Sequence, residues 1–588
     1  MQDAGSRPGA ADLAILVYAG ALLVLWSPAL FLGLLTPRIA VLLVGLGPGL
    51  VVLAGLVRRR DQAARWAAAY LAWALLAVFL ADHPRLAVAG PFGLDVGWVY
   101  LAGYVAAWAL GRRLTPAGRL ALPWVLVAGV GINALFALIE AAVEPVGDLA
   151  TESGRVHGLV SNSLFLGGLL VGALALLGHL AGSRPARRVA LAACSVPFAM
   201  AVNLTGSRAA LVGGAVLAVL AAVVGARQSS ARAAAAVPLV AGAMVLGFVL
   251  SLPLQSAESG ATRLGETSAS SGYQSRSIMW RLGVEAAIDR PIAGWGPGRF
   301  GEATAPRVTA EFTRAEGPDK LFYDAHNLVV EQLVTVGVVG LVLLGGFVVS
   351  VVRRSRGPLL WFGAGIALTW LFNPVSVCTG GVALLALGAA WSRDGAPGPS
   401  DVDEPPSEAE RPGGSDAYAV AGRAIGAVLA AAGLVVGVTL LRADALLDDG
   451  VASGDLAAVR HAEQLFPPDA VVTGIVAEAL GRVADEQPTA ANRRAVVAAS
   501  RRATQLDPTR AYWWIRLGAR EYAFGEGTEE DRLDRAEAAF RRALTRNPWS
   551  VEAMIGLRGI ADARGDAAEV ERLTERLCYV NVCLPPDP

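Results

Sequence analysis

The chain has 588 residues, of which 54% are hydrophobic and 17% charged, and its formal net charge is zero. Apolar residues gather into runs of roughly 18–25, about the length a helix needs to cross the hydrocarbon core of a bilayer, which excludes an ordinary soluble globular protein. The balanced charge leaves no global basic field, so nucleic acid is not an expected partner.

In chain order, the apolar runs predict thirteen spans near 13–35, 38–57, 64–81, 95–111, 120–143, 158–182, 189–204, 209–226, 234–254, 327–350, 358–373, 377–392 and 417–441. The first run is too long for the apolar region of a cleavable signal peptide and lacks a strongly basic start, so it is expected to stay in the membrane. Arginines in short connections collect on the cytoplasmic side. Here Arg58, Arg59 and Arg60, then Arg112, Arg113 and Arg119, then Arg184, Arg187 and Arg188 fall in even-numbered connections. Arg227 and Arg232, and Arg353, Arg354 and Arg356, do the same. The pattern places the N-terminus inside and the odd connections 82–94, 144–157, 205–208 and 255–325 outside.

Residues 393–416 form an acidic linker rich in Pro, Gly and Ser, a composition that cannot build a packed core. Its Asp401-Val402-Asp403 has the Asp-x-Asp form of metal and nucleotide-sugar sites but no rigid element to hold ligands. The additional span 417–441 then carries the rest of the chain outside. Residues 442–577 show amphipathic helical periodicity instead of long apolar runs, and Pro468, Pro508 and Pro548 recur at a spacing of forty. Repeats of this kind signal stacked helix pairs. Trp514, Leu517 and Gly518, followed by Ala536, Phe540, Ala543 and Pro548, resemble a degenerate tetratricopeptide unit, with Tyr522 one position late and an insertion around 525–531. Such arrays offer concave surfaces to a protein partner. In the tail 578–588, Cys578 and Cys583 are placed to form a disulfide if the tail is outside the cytoplasm, whereas Cys194 and Cys378 lie in apolar runs as packing residues. The expected fold class is all-α: a polytopic bundle of 12–13 transmembrane helices, residues 1–392 plus 417–441, followed by a soluble helical repeat domain.

The outer segment 255–325 is far longer than a connection between two spans requires, and long ordered loops tend to be functional. It ends in Asp324-Ala325-His326-Asn327, which sets an imidazole at the outer mouth of the next helix. Nine residues further on, Gly337-Val338-Val339-Gly340 offers small residues that let a neighbouring helix approach. Arg208 breaks the positive-inside pattern at the outer edge of a span. An arginine inside a membrane helix costs at least ~2.5–3.5 kcal/mol on insertion scales, so one at this edge needs snorkelling or an anionic partner. Arg155 repeats the anomaly, and Arg276 and Arg281 follow in the long outer segment. Guanidinium forks match phosphate oxygens, so the set points to an anionic lipid headgroup, a diphosphate above all. Pairing with Glu152, Glu258 and Glu266, or with bulk phospholipid, is the plainer alternative.

His326-Asn327, nine residues, then Gly337-x-x-Gly340 follows, in order, Thr205-Gly206-Ser207-Arg208, Arg276-x-x-x-Trp280 and the stretch from Arg290 to Gly298. In this set, residues 10–392 resemble the O-antigen ligase/polymerase superfamily. The resemblance implies a glycosyltransferase of the bacterial inner membrane that moves a glycan from an undecaprenyl diphosphate carrier to a glycan, lipid or protein acceptor on the outer face, with no cofactor and no required metal. It implies His326 as general base, Arg208, Arg276, Arg155 and Arg281 as holders of the diphosphate, and Asn327, Gly337 and Gly340 as the supporting motif. Polysaccharide polymerases and protein O-oligosaccharyltransferases belong to the same superfamily, so either activity is an alternative. A lipid-linked glycan flippase, from another class, would carry cations deep in several helices and internal repeat symmetry, whereas these cations cluster at one face. The repeat domain and the thirteenth span lie beyond the family's common core.

Overall fold

The computed structural model describes residues 7–143, 155–229, 231–254, 271–391 and 415–583, and among these it is helical, with no strand beyond an isolated bridge between Ser355 and Trp391. Glu152, Glu258, Glu266, Asp401 and Asp403 lie outside the described residues. Among the described residues, eight helices are long and apolar enough to cross a membrane: Thr36–Arg58, Gln62–Leu80, Pro116–Ala142, Ser163–Ser183, Arg208–Ser229, Arg232–Leu254, Leu328–Arg354 and Ala424–Ser453. Each answers a predicted run. The remaining runs form the shorter helices Ala10–Val24, Trp98–Arg113, Pro358–Thr369 and Gly380–Ala389, and the 189–204 run is split into Arg188–Ala193 and Ser195–Leu204.

The first run shows how a long apolar stretch yields a short helix. Ala10–Val24 stops at Leu25, whose backbone is extended, and a turn containing Pro28 follows. Arg38 is fully buried beside this stop. Its guanidinium donates to the carbonyls of Leu22 at 2.8 Å and Leu23 at 2.9 Å, and also to that of Leu34. The last carbonyls of a helix lack intrahelical partners and form the negative end of its dipole, so they both solvate and stabilise a buried cation.

Ser163–Ser183 is buried almost all round and forms the centre of the bundle. The even-numbered connections meet at one end. There Arg112 pairs with Asp61 at 2.8 Å and lies over the Trp391 ring at 3.8 Å, while Arg119 donates to the Trp391 carbonyl at 2.9 Å. Cys378 is buried as expected, but Cys194, between the two halves of the split run, is exposed.

The helix Ser415–Ser453 runs for 39 residues, from the additional apolar run into the repeat region. Three helix hairpins follow: Ala470–Glu486 with Ala490–Leu506, Ala511–Phe524 with Glu529–Arg546, and Val551–Ala563 with Ala567–Tyr579. Pro468, Pro508 and Pro548 each stand two or three residues before a hairpin's first helix, where a missing N–H costs nothing to the helix that follows. Phe540 packs its ring against Gly518 and Gly556, locking one hairpin to the next. A disulfide joins Cys578 and Cys583.

Candidate active site

The hairpins sit on the end of the bundle opposite the arginine-rich connections. Phe92 donates its backbone N–H to Asp469 at 2.9 Å and packs its ring on Phe466, Arg85 donates to the Leu506 carbonyl at 2.8 Å, and Arg299 donates to Thr509 at 2.9 Å. Asp469 also caps its own helix by accepting from Val471 and Val472. Burial pushes the Asp469 carboxyl up, against these backbone donors and the nearby Arg510. The segment from Arg290 to Asn327 thus meets both the helix hairpins and the bundle.

His326 closes that segment with φ at 47°, a left-handed conformation that is uncommon outside glycine. Its neighbours hold it there. The Asp324 carboxylate accepts from the His326 backbone N–H at 2.7 Å, and the same oxygen stands 2.7 Å from the ring Nδ1. The Ala325 N–H donates to Glu331 at 2.9 Å, and its carbonyl accepts from the indole of Trp280 at 2.8 Å. The Phe322 ring lies 5.1 Å from the imidazole. Asn327 is the N-cap of Leu328–Arg354: its side-chain oxygen accepts from Val329 at 2.9 Å and Val330 at 3.1 Å, and its amide donates to the Leu371 carbonyl at 3.0 Å. The His-Asn pair therefore joins a candidate base to the residue that starts its helix.

Gly337 does something different from the helix packing expected of it. It breaks Leu328–Arg354 with φ 69° and ψ −176°, a region open essentially to glycine alone. The break frees backbone groups that would otherwise bond along the helix, and the stretch from Arg290 to Gly298 takes them up. Trp295 donates to the Val334 carbonyl at 2.9 Å, Gly296 to that of Thr335 at 2.9 Å, and Val338 donates to the Pro291 carbonyl at 2.8 Å. Trp73 satisfies the Val336 carbonyl at 2.9 Å. A Cβ on Gly337 would collide with the Ile292 carbonyl. Gly340 keeps helical geometry and faces Val336 and the Trp73 ring.

A cavity of about 140 Å³ opens beneath His326. Asp95, Asp324, Glu331, Gln332, Tyr70 and Asn373 supply its polar lining, Tyr70 donates its hydroxyl to Gln332, and Asp95 accepts from the Val377 backbone N–H. No Arg or Lys lines it among the described residues. The sequence analysis missed Asp95 and Glu331. Their signal was a carboxylate at the edge of an apolar run, where an ionisable group is costly and tends to be functional.

Arg155 and Arg208 come together at one turn, because Arg155 donates to the Thr205 carbonyl at 2.9 Å, three residues before Arg208 begins its helix. Arg276 is half-buried on Ser271–Asp289, one turn before Trp280, the residue bonded to Ala325. Arg281, on the same helix, is exposed and pairs with Glu311 at 3.3 Å. Residues 192–345 match the family model described as O-antigen ligase. This O-antigen ligase match spans roughly a quarter of the chain and contains Arg208, Arg276, Arg281, His326, Asn327, Gly337 and Gly340. Arg155 and the repeat region lie outside it. The match and the apolar helices together support a multi-pass membrane protein of the O-antigen ligase superfamily, a family whose activity is, in general, membrane glycosyl transfer or ligation. No curated protein matches the chain.

Proposed function

We propose that the protein transfers a glycan from a polyprenyl diphosphate carrier to a hydroxyl acceptor on the outer face of the bacterial inner membrane, with His326 as the base. The observation that carries the reading is the way His326 is held. Asp324 stands 2.7 Å from Nδ1, and His326 lines the cavity. In the neutral tautomer with its proton on Nδ1, Nε2 can accept a proton from the acceptor hydroxyl.

As that proton moves to Nε2, the acceptor oxygen bonds to the anomeric carbon and the bond from that carbon to the diphosphate breaks. A single displacement inverts the anomeric configuration. The lipid diphosphate leaves with the electron pair, and Arg208, Arg155 and Arg276 stabilise its charge as fixed cations. Arg281, exposed on the same helix as Arg276, adds to the local positive field. The cavity holds carboxyl groups and no cation among the described residues, so it suits the acceptor side. The repeat domain, which we read as tetratricopeptide-like, lies on the same outer side and presents acceptor or a partner protein. The disulfide supports that side, because the cytoplasm keeps thiols reduced. A polymerase would differ in its acceptor alone.

The test uses full-length protein in detergent with a lipid diphosphate-linked glycan, an acceptor and a metal chelator. Glycosylated acceptor and free lipid diphosphate should form together. Translocation of the intact lipid in vesicles without any transfer would instead identify a flippase.

A further inference from the structure

At the end of the bundle opposite His326, an open groove of about 1620 Å³ runs along the packed seam between Thr36–Arg58 and Ser415–Ser453. Leu328–Arg354 links the two ends, and its 27 residues place them roughly 40 Å apart. The walls are apolar, with Val51 and Ala54 on one side and Ile425 and Ala430 on the other. The rim is not. Arg58, Arg59 and Arg60 stand at the end of one wall, and Arg112, Arg113, Arg119 and Arg354 come from three other helices.

Seven arginines thus line the groove against one carboxylate, Asp61, which is already bonded to Arg112. Among the described residues, no carboxylate pairs with Arg58, Arg59, Arg60, Arg113 or Arg354. The positive-inside rule accounts for arginines on this side but not for their convergence on one apolar cleft. Basic pockets between membrane helices on the cytoplasmic side match phospholipid headgroups, and a guanidinium grips phosphate with two parallel donors.

We propose that this groove binds one anionic phospholipid of the inner leaflet, with a headgroup of two phosphates set among the arginines and acyl chains lying against Val51 and Ile425. Two phosphates fit the charge better than one, because seven arginines there face a single carboxylate. The lipid pins the N-terminal half of Ser415–Ser453 to the bundle and so steadies the helix that carries the repeat domain. This assignment is independent of the chemistry at His326.

The test uses the full-length protein in detergent, titrated with cardiolipin, phosphatidylglycerol or phosphatidylcholine and read by native mass spectrometry. Cardiolipin should be retained roughly tenfold better than phosphatidylcholine. Ile425→Trp fills the groove without touching charge and should abolish the preference, while Arg58→Lys/Arg59→Lys/Arg60→Lys keeps the insertion signal and should weaken retention several-fold. Arg227→Gln/Arg232→Gln, whose arginines share this face but lie outside the groove, should change nothing. Equal retention by Ile425→Trp and the native protein would overturn the proposal, leaving only non-specific surface lipid. Retention that appears only after Asp401, Asp403, Glu404, Glu408 and Glu410 are neutralised would also overturn it, because the acidic linker would then be the occupant.

Discussion

The guanidinium of Arg510 lies 4.3 Å over the ring of Tyr323, three residues before His326. A turn between two helix hairpins therefore touches the segment that carries the candidate base. Arg510→Ala should loosen that segment, since a contact of this type contributes about 0.5–2 kcal/mol. Transfer is expected to fall roughly 2–10-fold, with faster proteolysis around residue 320. Unchanged transfer and proteolysis would show that the repeat domain sits beside the site without supporting it.

Asp469 offers a test of the same interface by pH. Its folded carboxyl is raised by burial, so its contribution is fullest below the ordinary carboxylate pKa and is lost as pH rises through the raised value. Acidification within that window should tighten the docking. Asp469→Asn keeps an acceptor for the helix N-terminus and should be nearly neutral in thermal melts, whereas Asp469→Ala should cost about 1 kcal/mol. An Asn variant as damaged as the Ala variant would contradict a carboxyl that is penalised for its charge.

Where charge or proline marks a boundary, the chain was legible: 38–57 became Thr36–Arg58, and 327–350 became Leu328–Arg354. The prolines at 468, 508 and 548 marked the hairpins for the same reason. What stayed hidden was long-range. Gly337 and Gly340 look alike in sequence, and only the turn around Pro291, brought alongside by folding, requires a positive φ at Gly337 and not at Gly340. The pairing of Arg281 was likewise hidden until folding placed Glu311 beside it. The break after Val24 depends on Arg38, whose effect is visible only once its acceptors are buried with it.

Gly337→Ala should therefore be more severe than Gly340→Ala. The first forces an alanine into a glycine-only region at a cost of order 1–3 kcal/mol, before its collision with Ile292 is counted. The second keeps helical geometry but crowds the buried Val336, so it carries a packing cost without the backbone cost. Thermal melts of the two variants in detergent should differ accordingly, with transfer lost in the first. Equal melts would mean that the helix break is not a fixed feature of the fold.

Asp324 is a positioning residue in this account. Asp324→Asn should lower transfer by roughly 10–100-fold with carrier binding intact, because an amide can hold the wrong tautomer of His326. Native transfer by Asp324→Asn would assign Asp324 to the loop backbone alone.

The most direct measurement is transfer and carrier binding by His326→Ala, beside Arg208→Ala and Arg276→Ala, in detergent with a lipid diphosphate-linked glycan. His326→Ala should lose about 10²–10⁴-fold in rate while binding the carrier normally, as expected for a base that acts on the acceptor. The arginine variants should lose both binding and rate, because a guanidinium on the diphosphate acts before and during bond cleavage, and Lys should restore them only in part. Normal transfer by His326→Ala would contradict the assignment of the base, and with it the account of the site.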